Sequence, residues 1–223
     1  EPEISADAAE ELADRFADLP ASQWPNLDSI EETGDRELRL IDAIQEGLGQ
    51  SMEAFPELIL MGQDIADYGG VFKVTEGFVE RFGKDRVRNT PLCESAIVGA
   101  ALGLSIANKK AMMEMQFSDF VTVGFNQIVN NLAKIHWRWG QNADVVVRMP
   151  TGGNVGAGPF HSQSTEAWFF HVPGLKIVYP SSPADAKGLL IRAFEDPNPI
   201  LFFEHKYLYR SLAGSVPEQP YTL

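Results

Sequence analysis

With 223 residues, 44 % of them hydrophobic, the chain is long enough to bury one sizeable core. A net charge of −13 at pH 7 argues against nucleic acid or an anionic membrane surface as a partner, and a single cysteine, Cys93, excludes an internal disulfide framework. No apolar run approaches the ~18 residues of a membrane span and the acidic N-terminus has the wrong sign for a signal or transit peptide, so a soluble protein of a reducing, cytoplasmic compartment is expected.

Residues 1–34 hold ten acids against one base, Arg15, which leaves the rest of the chain nearly balanced. Its alanine-rich piece, Ser5 to Leu19, predicts a short helix, and the proline-containing stretch Pro20 to Thr33 a linker. Residues 1–34 therefore read as an acidic arm ahead of a domain over 35–223. From Arg36 to Phe55, apolar Leu38, Ile41, Ile44, Leu48 and Met52 recur at helical spacing and predict an amphipathic helix. Short apolar runs follow at Leu58 to Met61, Ala111 to Met113, Val145 to Val147, Ile177 to Tyr179 and Ile200 to Phe203, and predict buried parallel strands. Helix-length segments separate them at 74–82, 94–108, 119–138, 163–171 and 183–195. The alternation predicts an α/β fold: a doubly wound, mostly parallel sheet with helices on both faces. Such sheets bind ligands where loops leave the carboxyl ends of the strands, here 62–71, 116–119, 150–163 and 180–183.

Glu94 is the one ionisable residue at the mouth of a segment, Ser95 to Ala107, that carries no charge and reads as a buried helix. One reading makes it a helix cap, stabilised by about 0.3–1 kcal/mol through the macrodipole. The other makes it a desolvated carboxyl able to relay a proton. The loop from Met61 to Phe72 reads as glycine turns with Asp64 and Asp67 in solvent. The loop from Pro150 to Ser164 is rich in glycine and delivers His161 just before the next expected helix. It has neither the Gly-Lys-Ser/Thr ending of a phosphate loop nor a GxGxxG spacing, so phosphate binding is not indicated. His136, His161, His171 and His205 match no zinc spacing, and a G-x-S-x-G elbow is absent. Cys93 reads as a packing residue.

Several stretches in one order carry a resemblance: Thr90-Pro91-Leu92-Cys93-Glu94, Glu114-Met115-Gln116-Phe117-Ser118-Asp119-Phe120, His161-Ser162-Gln163-Ser164, Pro173-Gly174-Leu175-Lys176, Asp185-Ala186-Lys187-Gly188-Leu189-Leu190 and Phe203-Glu204-His205-Lys206. Over residues 36–211 the chain resembles the β-subunit of thiamine-diphosphate-dependent 2-oxoacid dehydrogenases. The ending Phe202 to Arg210 is more similar to the branched-chain (2-oxoisovalerate) enzymes than to the pyruvate or acetoin ones. The resemblance implies a pyrimidine-binding domain that supplies half of a cofactor site, with an α-subunit or α-like region supplying the other half and its magnesium. It further implies oxidative decarboxylation of a 2-oxoacid with acyl transfer to the lipoyl group of an acyltransferase. The assembly would be of the α2β2 type, in the mitochondrial matrix if the source is eukaryotic.

On that resemblance, Glu94 matches the glutamate that hydrogen-bonds the aminopyrimidine ring and favours its imino tautomer, so that the cofactor's own nitrogen takes the thiazolium proton. His161 matches the histidine placed near the reacting carbon and the incoming lipoyl arm. Leu92, Phe117 and Phe120 match the lining of the pyrimidine pocket, and plain core packing is compatible with the same positions. Gln63 stands where the family often has Glu, and Phe120 where some members have Tyr. Asp196 and Asn198 match the end of a potassium site built largely from main-chain carbonyls. The Gly-Asp-Gly type of segment that binds magnesium and diphosphate has no match, nor has the family's C-terminal domain, as expected of a fragment. The competing reading is a non-catalytic α/β interaction module that keeps the fold without turnover.

Overall fold

The apolar runs condense into one six-stranded parallel sheet in the computed structural model, which describes residues 7–30 and 36–223. In chain order the elements are α1 (Ala8–Ala13), β1 (Glu37–Arg39), α2 (Leu40–Ala54), β2 (Leu58–Gly62), α3 (Phe78–Phe82), β3 (Val87–Asn89), α4 (Glu94–Ile106), β4 (Lys110–Glu114) and α5 (Val121–Asn126). They continue with α6 (Ile135–Trp139), β5 (Val145–Thr151), β6 (Lys176–Val178), α7 (Pro183–Glu195), β7 (Ile200–His205), α8 (Leu208–Ser211) and β8 (Ala213–Ser215). The strand order is β3-β2-β4-β5-β7-β6, and β1 and β8 form a separate antiparallel pair. The chain leaves β2 toward β3 on one side and returns to β4 on the other. That reversal opens the crevice in which sheets of this class bind ligands.

Each central strand is buried on both faces, as its continuous apolar run requires. Ile59, Met61, Met113, Val147 and Phe203 pack with Ile97 and Val98 of α4, Val121 of α5 and Ile135 of α6. The alternate positions, Leu58, Leu60, Met112, Val146 and Phe202, pack with Leu40, Ile44, Leu48 and Met52 of α2, Leu190 and Phe194 of α7 and Tyr209 of α8. Each of these side chains contributes about 1.5–3 kcal/mol through burial. Among the described residues no helix is long and apolar enough to cross a membrane.

The α2 side of the sheet carries charge at its carboxyl end. Glu114, Arg148 and Glu204 continue the alternation of Met112, Val146 and Phe202, so all three are buried. Arg148 bonds Glu204 through Nε and Nη2, both at 2.6 Å, and Glu114 through Nη1 at 2.7 Å; Tyr209 Oη donates to Glu204 Oε2 at 2.5 Å. Two carboxyls thus share one guanidinium. Burial, reinforced by Glu204, outweighs Arg148 and raises the Glu114 pKa, while burial and Glu204 push that of Tyr209 far up.

Several expected elements are shorter than the periodicity implied. The helix expected from Arg36 starts at Leu40, because residues 37–39 pair with residues 213–215 and Leu40 N donates to Leu212 O at 2.9 Å. Over 74–82 only α3 forms, since Gly77 enters it at φ +79°. The expected helix 119–138 is a 3-10 turn (Ser118–Phe120), α5, a π-helical turn (Gln127–Leu132) and α6. Its middle is rich in asparagine, a weak helix former, and the amides bond one another: Asn130 Nδ2 to Asn126 Oδ1 at 2.7 Å and Asn131 Nδ2 to Gln127 Oε1 at 2.5 Å. Residues 163–171 keep a single 3-10 turn, Glu166–Phe169. The Gln163 backbone is already committed elsewhere, donating to Asp119 Oδ1 at 3.0 Å and accepting from Gly152 N at 2.9 Å.

The described part of residues 1–34 is tied to the rest of the chain at several points. The helix expected over Ser5 to Leu19 is α1, capped by Asp7, and residues 5 and 6 lie outside the described residues, as do 31–33 of the expected linker. Ala17 pairs through both backbone groups with the Asn198 side chain, Gln23 N donates to Glu195 Oε1 at 3.0 Å, and Asn26 bridges to Thr222.

Candidate functional site

The site is assembled at the carboxyl ends of β2, β3, β4 and β5. Gly62 closes β2 so near β4 that a Cβ there would lie 3.0 Å from the Glu114 carbonyl oxygen, and the chain then turns through Asp64 at φ +57°. Thr90 N donates to Gly62 O at 2.9 Å, which prolongs the β2–β3 alignment and brings Thr90 to Cys93 past the end of β2. The turn delivers Glu94 as the first residue of α4, buried at 5 % exposure. Gln63, also buried, donates from Nε2 to Glu94 Oε1 at 3.2 Å. Among the described residues the Glu94 carboxylate accepts no hydrogen bond from its own first turn, so the capping reading has only the macrodipole behind it.

Two expectations about this stretch change. Helix α4 is buried on one face only, leaving Ala96, Ala100 and Gly103 exposed, because the sheet lies on one side and nothing described covers the other. Cys93 is exposed rather than packed, since it belongs to the turn and not to the helix. Leu92 beside it is 80 % exposed.

From β4 the chain passes through Phe117 and Phe120, and from β5 through the glycine loop to His161. These three rings meet. His161 stands edge-on to Phe117 at 4.9 Å and to Phe120 at 5.4 Å, and the two phenylalanines lie 5.9 Å apart. Such edge contacts contribute about 0.5–1.5 kcal/mol each beyond area burial. The His161 Nδ1 lies 3.2 Å from Ala157 O. A carbonyl only accepts, so Nδ1 carries the hydrogen and the neutral ring presents Nε2 as an acceptor. The loop is fastened behind His161: Asp119 Oδ1 accepts from Gln163 N and Nε2, and Ser118 Oγ donates to Thr151 Oγ1, which donates in turn to Gln163 O.

Glu94 and the three rings therefore share one edge of the sheet, but no hydrogen bond or ring contact among the described residues joins them. A hollow of about 360 Å³ lined by Leu12, Ala133, Trp137 and Pro173 includes neither Glu94 nor His161. Asp196 and Asn198 lie at the opposite edge, ahead of β7. Their side-chain oxygens are engaged: Asp196 Oδ2 takes Lys176 Nζ at 2.5 Å, Asp196 Oδ1 takes Asn198 N and Nδ2, and Asn198 Oδ1 takes Ala17 N at 2.8 Å. These side-chain contacts leave the potassium expectation, which rests largely on main-chain carbonyls, as an expectation. Among the described residues no group of three or more histidine, cysteine or acidic side chains is placed to hold a metal.

Two participants went unread in the sequence. Phe72 lies 5.5 Å from Phe117 and 5.2 Å from Tyr209, and links the rings to the buried charges. Arg148 had a signal: a lone arginine within a valine run that otherwise reads as buried on both faces must be paired.

Comparison with known proteins follows the same lines. The family described as "Transketolase, pyrimidine binding domain" matches residues 36–211. The chain is 44 % identical over 200 residues to the mitochondrial 2-oxoisovalerate dehydrogenase subunit beta 2 of Arabidopsis thaliana, covering 88 % of this chain and 55 % of the relative. It is 47 % identical over 185 residues to the 2-oxoisovalerate dehydrogenase subunit beta of Bacillus subtilis (strain 168), covering 82 % of this chain and 57 % of the relative. Against the pyruvate dehydrogenase E1 component subunit beta of Acholeplasma laidlawii it is 40 % identical over 188 residues, 83 % of this chain and 58 % of the relative. The chain thus spans a little over half the length of these curated relatives. A solved "Split gene transketolase, inactive beta4 tetramer" shares the fold at TM-score 0.60 and 17 % identity, over 74 % of this chain and 50 % of that one. A parallel α/β sheet with a buried glutamate opening the helix after β3, matched to the family model over residues 36–211, makes this chain a member of the transketolase pyrimidine-binding domain family.

Proposed function

We propose that the chain is the pyrimidine-binding part of a 2-oxoacid dehydrogenase β-subunit, acting on a branched-chain 2-oxoacid together with an α-subunit and a lipoyl-bearing acyltransferase. The observation that carries the reading is the pairing of Gln63 with the buried Glu94 carboxylate, with an aromatic support for His161 at the same end of the sheet. Thiamine diphosphate, when bound, supplies a nucleophilic carbon that attacks the 2-oxo carbonyl and accepts the electrons of decarboxylation. The residues present fit its aminopyrimidine end. Gln63 orients the Glu94 carboxylate by holding Oε1, and Oε2 has no hydrogen-bond partner among the described residues, so it can exchange a proton with a ring nitrogen. Leu92, Phe117 and Phe120 supply apolar walls, and the exposure of Leu92 fits a wall completed by a second chain. His161 presents Nε2 to take or give a proton at the substrate or the incoming lipoyl group. Among the described residues no acidic cluster is placed to hold magnesium, and we assign the diphosphate and magnesium to the α-subunit.

Turnover of a panel of 2-oxoacids by the full-length β-subunit with its α-subunit tests the reading. Branched-chain 2-oxoacids should be preferred over pyruvate, and Glu94→Gln should lower the rate by at least roughly 10²-fold with little change in stability. No turnover of any 2-oxoacid would leave the interaction-module reading in its place, and preferred turnover of pyruvate would move the assignment to the pyruvate enzymes.

A further inference from the structure

Lys206 directly follows β7. It is 4 % exposed, and its Nζ has no hydrogen-bond partner among the described residues. An ammonium enclosed in this way is strongly unfavourable unless something nearby compensates its charge. Two neighbours do. The face of Phe117 lies 5.0 Å from Nζ, within cation–π range. Burial lowers the Lys206 pKa, and the Asp119 carboxylate raises it back in part. Asp119 has the complementary deficit: it is 5 % exposed, and its Oδ2 is buried without a donor.

Both neighbours support His161. Phe117 is the ring on which His161 stands, at 4.9 Å. Asp119 Oδ1 holds Gln163, two residues beyond His161, through N at 3.0 Å and Nε2 at 3.1 Å. Lys206 also ties the strand ends through its backbone, donating from N to Thr151 O at 3.0 Å. That bond survives any change of its side chain, so the charge can be removed without removing the tie.

We infer that Lys206 and Asp119 form a buried charge couple, and that Lys206 is a positioning residue which fixes His161 through Phe117 and Asp119. The part concerning His161 rests on the function proposed above; the couple does not.

Hydrogen–deuterium exchange on the whole chain tests the couple. Lys206→Met keeps the length and apolar stem, and Asp119→Asn keeps an acceptor for Gln163, so each removes chiefly a charge. Each single variant should speed exchange of amides 158–165 about tenfold while leaving β4 and β5 unchanged, because it strands one buried charge. The double variant strands none and should return to within about twofold of wild type. Additive effects, or wild-type exchange in Lys206→Met, would overturn the couple. In the assembly with the α-subunit, Lys206→Met should slow acyl transfer to the lipoyl group and leave thiazolium C2 proton exchange unaltered, and Lys206→Arg should restore transfer. Faster loop exchange with undiminished transfer would overturn the positioning role. A wild-type assembly without activity would count against the proposed function, while the exchange data would still decide the couple.

Discussion

Replacing Arg148 by Met removes the one cation that faces both Glu114 and Glu204. The methionine fills much of the space, so the loss is electrostatic. Glu204 forfeits two bonds of 2.6 Å and keeps only Tyr209, and Glu114 forfeits one of 2.7 Å. At this depth a lone carboxylate is neutralised instead. Binding one extra proton at pH 7 costs about 1.4 kcal/mol for each pH unit above an unfolded pKa near 4.3, or about 3.7 kcal/mol, within the 3–5 kcal/mol typical of breaking a buried pair. The pH dependence carries the sign. A carboxyl whose folded pKa is raised contributes stability that is present below its unfolded value and lost as pH rises through its folded value. The deficit relative to wild type should therefore be about 4 kcal/mol at pH 7 and about 1 kcal/mol at pH 5. Urea unfolding of both proteins at the two pH values reads this directly. A deficit below about 2 kcal/mol at pH 7, or one equal at both pH values, would refute the reasoning.

Three further outcomes are expected. Gly174→Ala should cost at least about 2 kcal/mol, because φ is +91° and the new Cβ would lie 1.8 Å from Ala133 O; an unchanged melting temperature would contradict that packing. His161→Ala should preserve the circular dichroism spectrum and reduce acyl transfer by roughly 10²-fold, and an undiminished overall rate would remove His161 from the chemistry. The isolated chain should bind thiamine diphosphate weakly by calorimetry; tight, magnesium-dependent binding would overturn the two-chain account of the site.

What was legible from sequence followed the strength of the local pattern. Strands β2, β4, β5 and β7 are apolar enough to mark themselves, and α7 carries both a Ser182 cap and Pro183 at its first turn. Strand β3 was missed because only Val87 of its three residues is buried, and an edge strand has one neighbour to pay for it. The pairing of β1 with β8 was illegible for a different reason: its residues are mostly exposed and their partners lie at the far end of the chain. Glu94 stood out as a lone acid in an apolar run, yet its partner Gln63 is an ordinary polar loop residue until β2 and β3 align. Phe117 and Phe120 come from the loop after β4 and His161 from the loop after β5, so their meeting depends on strand order, which composition does not encode. The burial of Lys206 is set by the fold and not by its neighbours in sequence.

The pairing of α2 with α7 also governs what happens while the chain is being made. Helix α2 covers the sheet beside α7, close enough that Gly47 meets the Lys187 side chain, and Lys187 Nζ is held by Glu46 and the carbonyls of residues 217–219. Neither α7 nor residues 217–219 exist when α2 leaves the ribosome. At roughly 5–20 residues per second, the roughly 130 residues between α2 and α7 take roughly 6–26 s to synthesise. For that interval Leu40, Ile44, Leu48 and Met52 lack the part of their cover that α7 and β7 supply, Ala186, Leu190, Phe194 and Phe202, and the parallel sheet is incomplete without its late strand β7. A delay in translation downstream of α2 therefore lengthens the time for which this face of the sheet is only partly covered and open to aggregation.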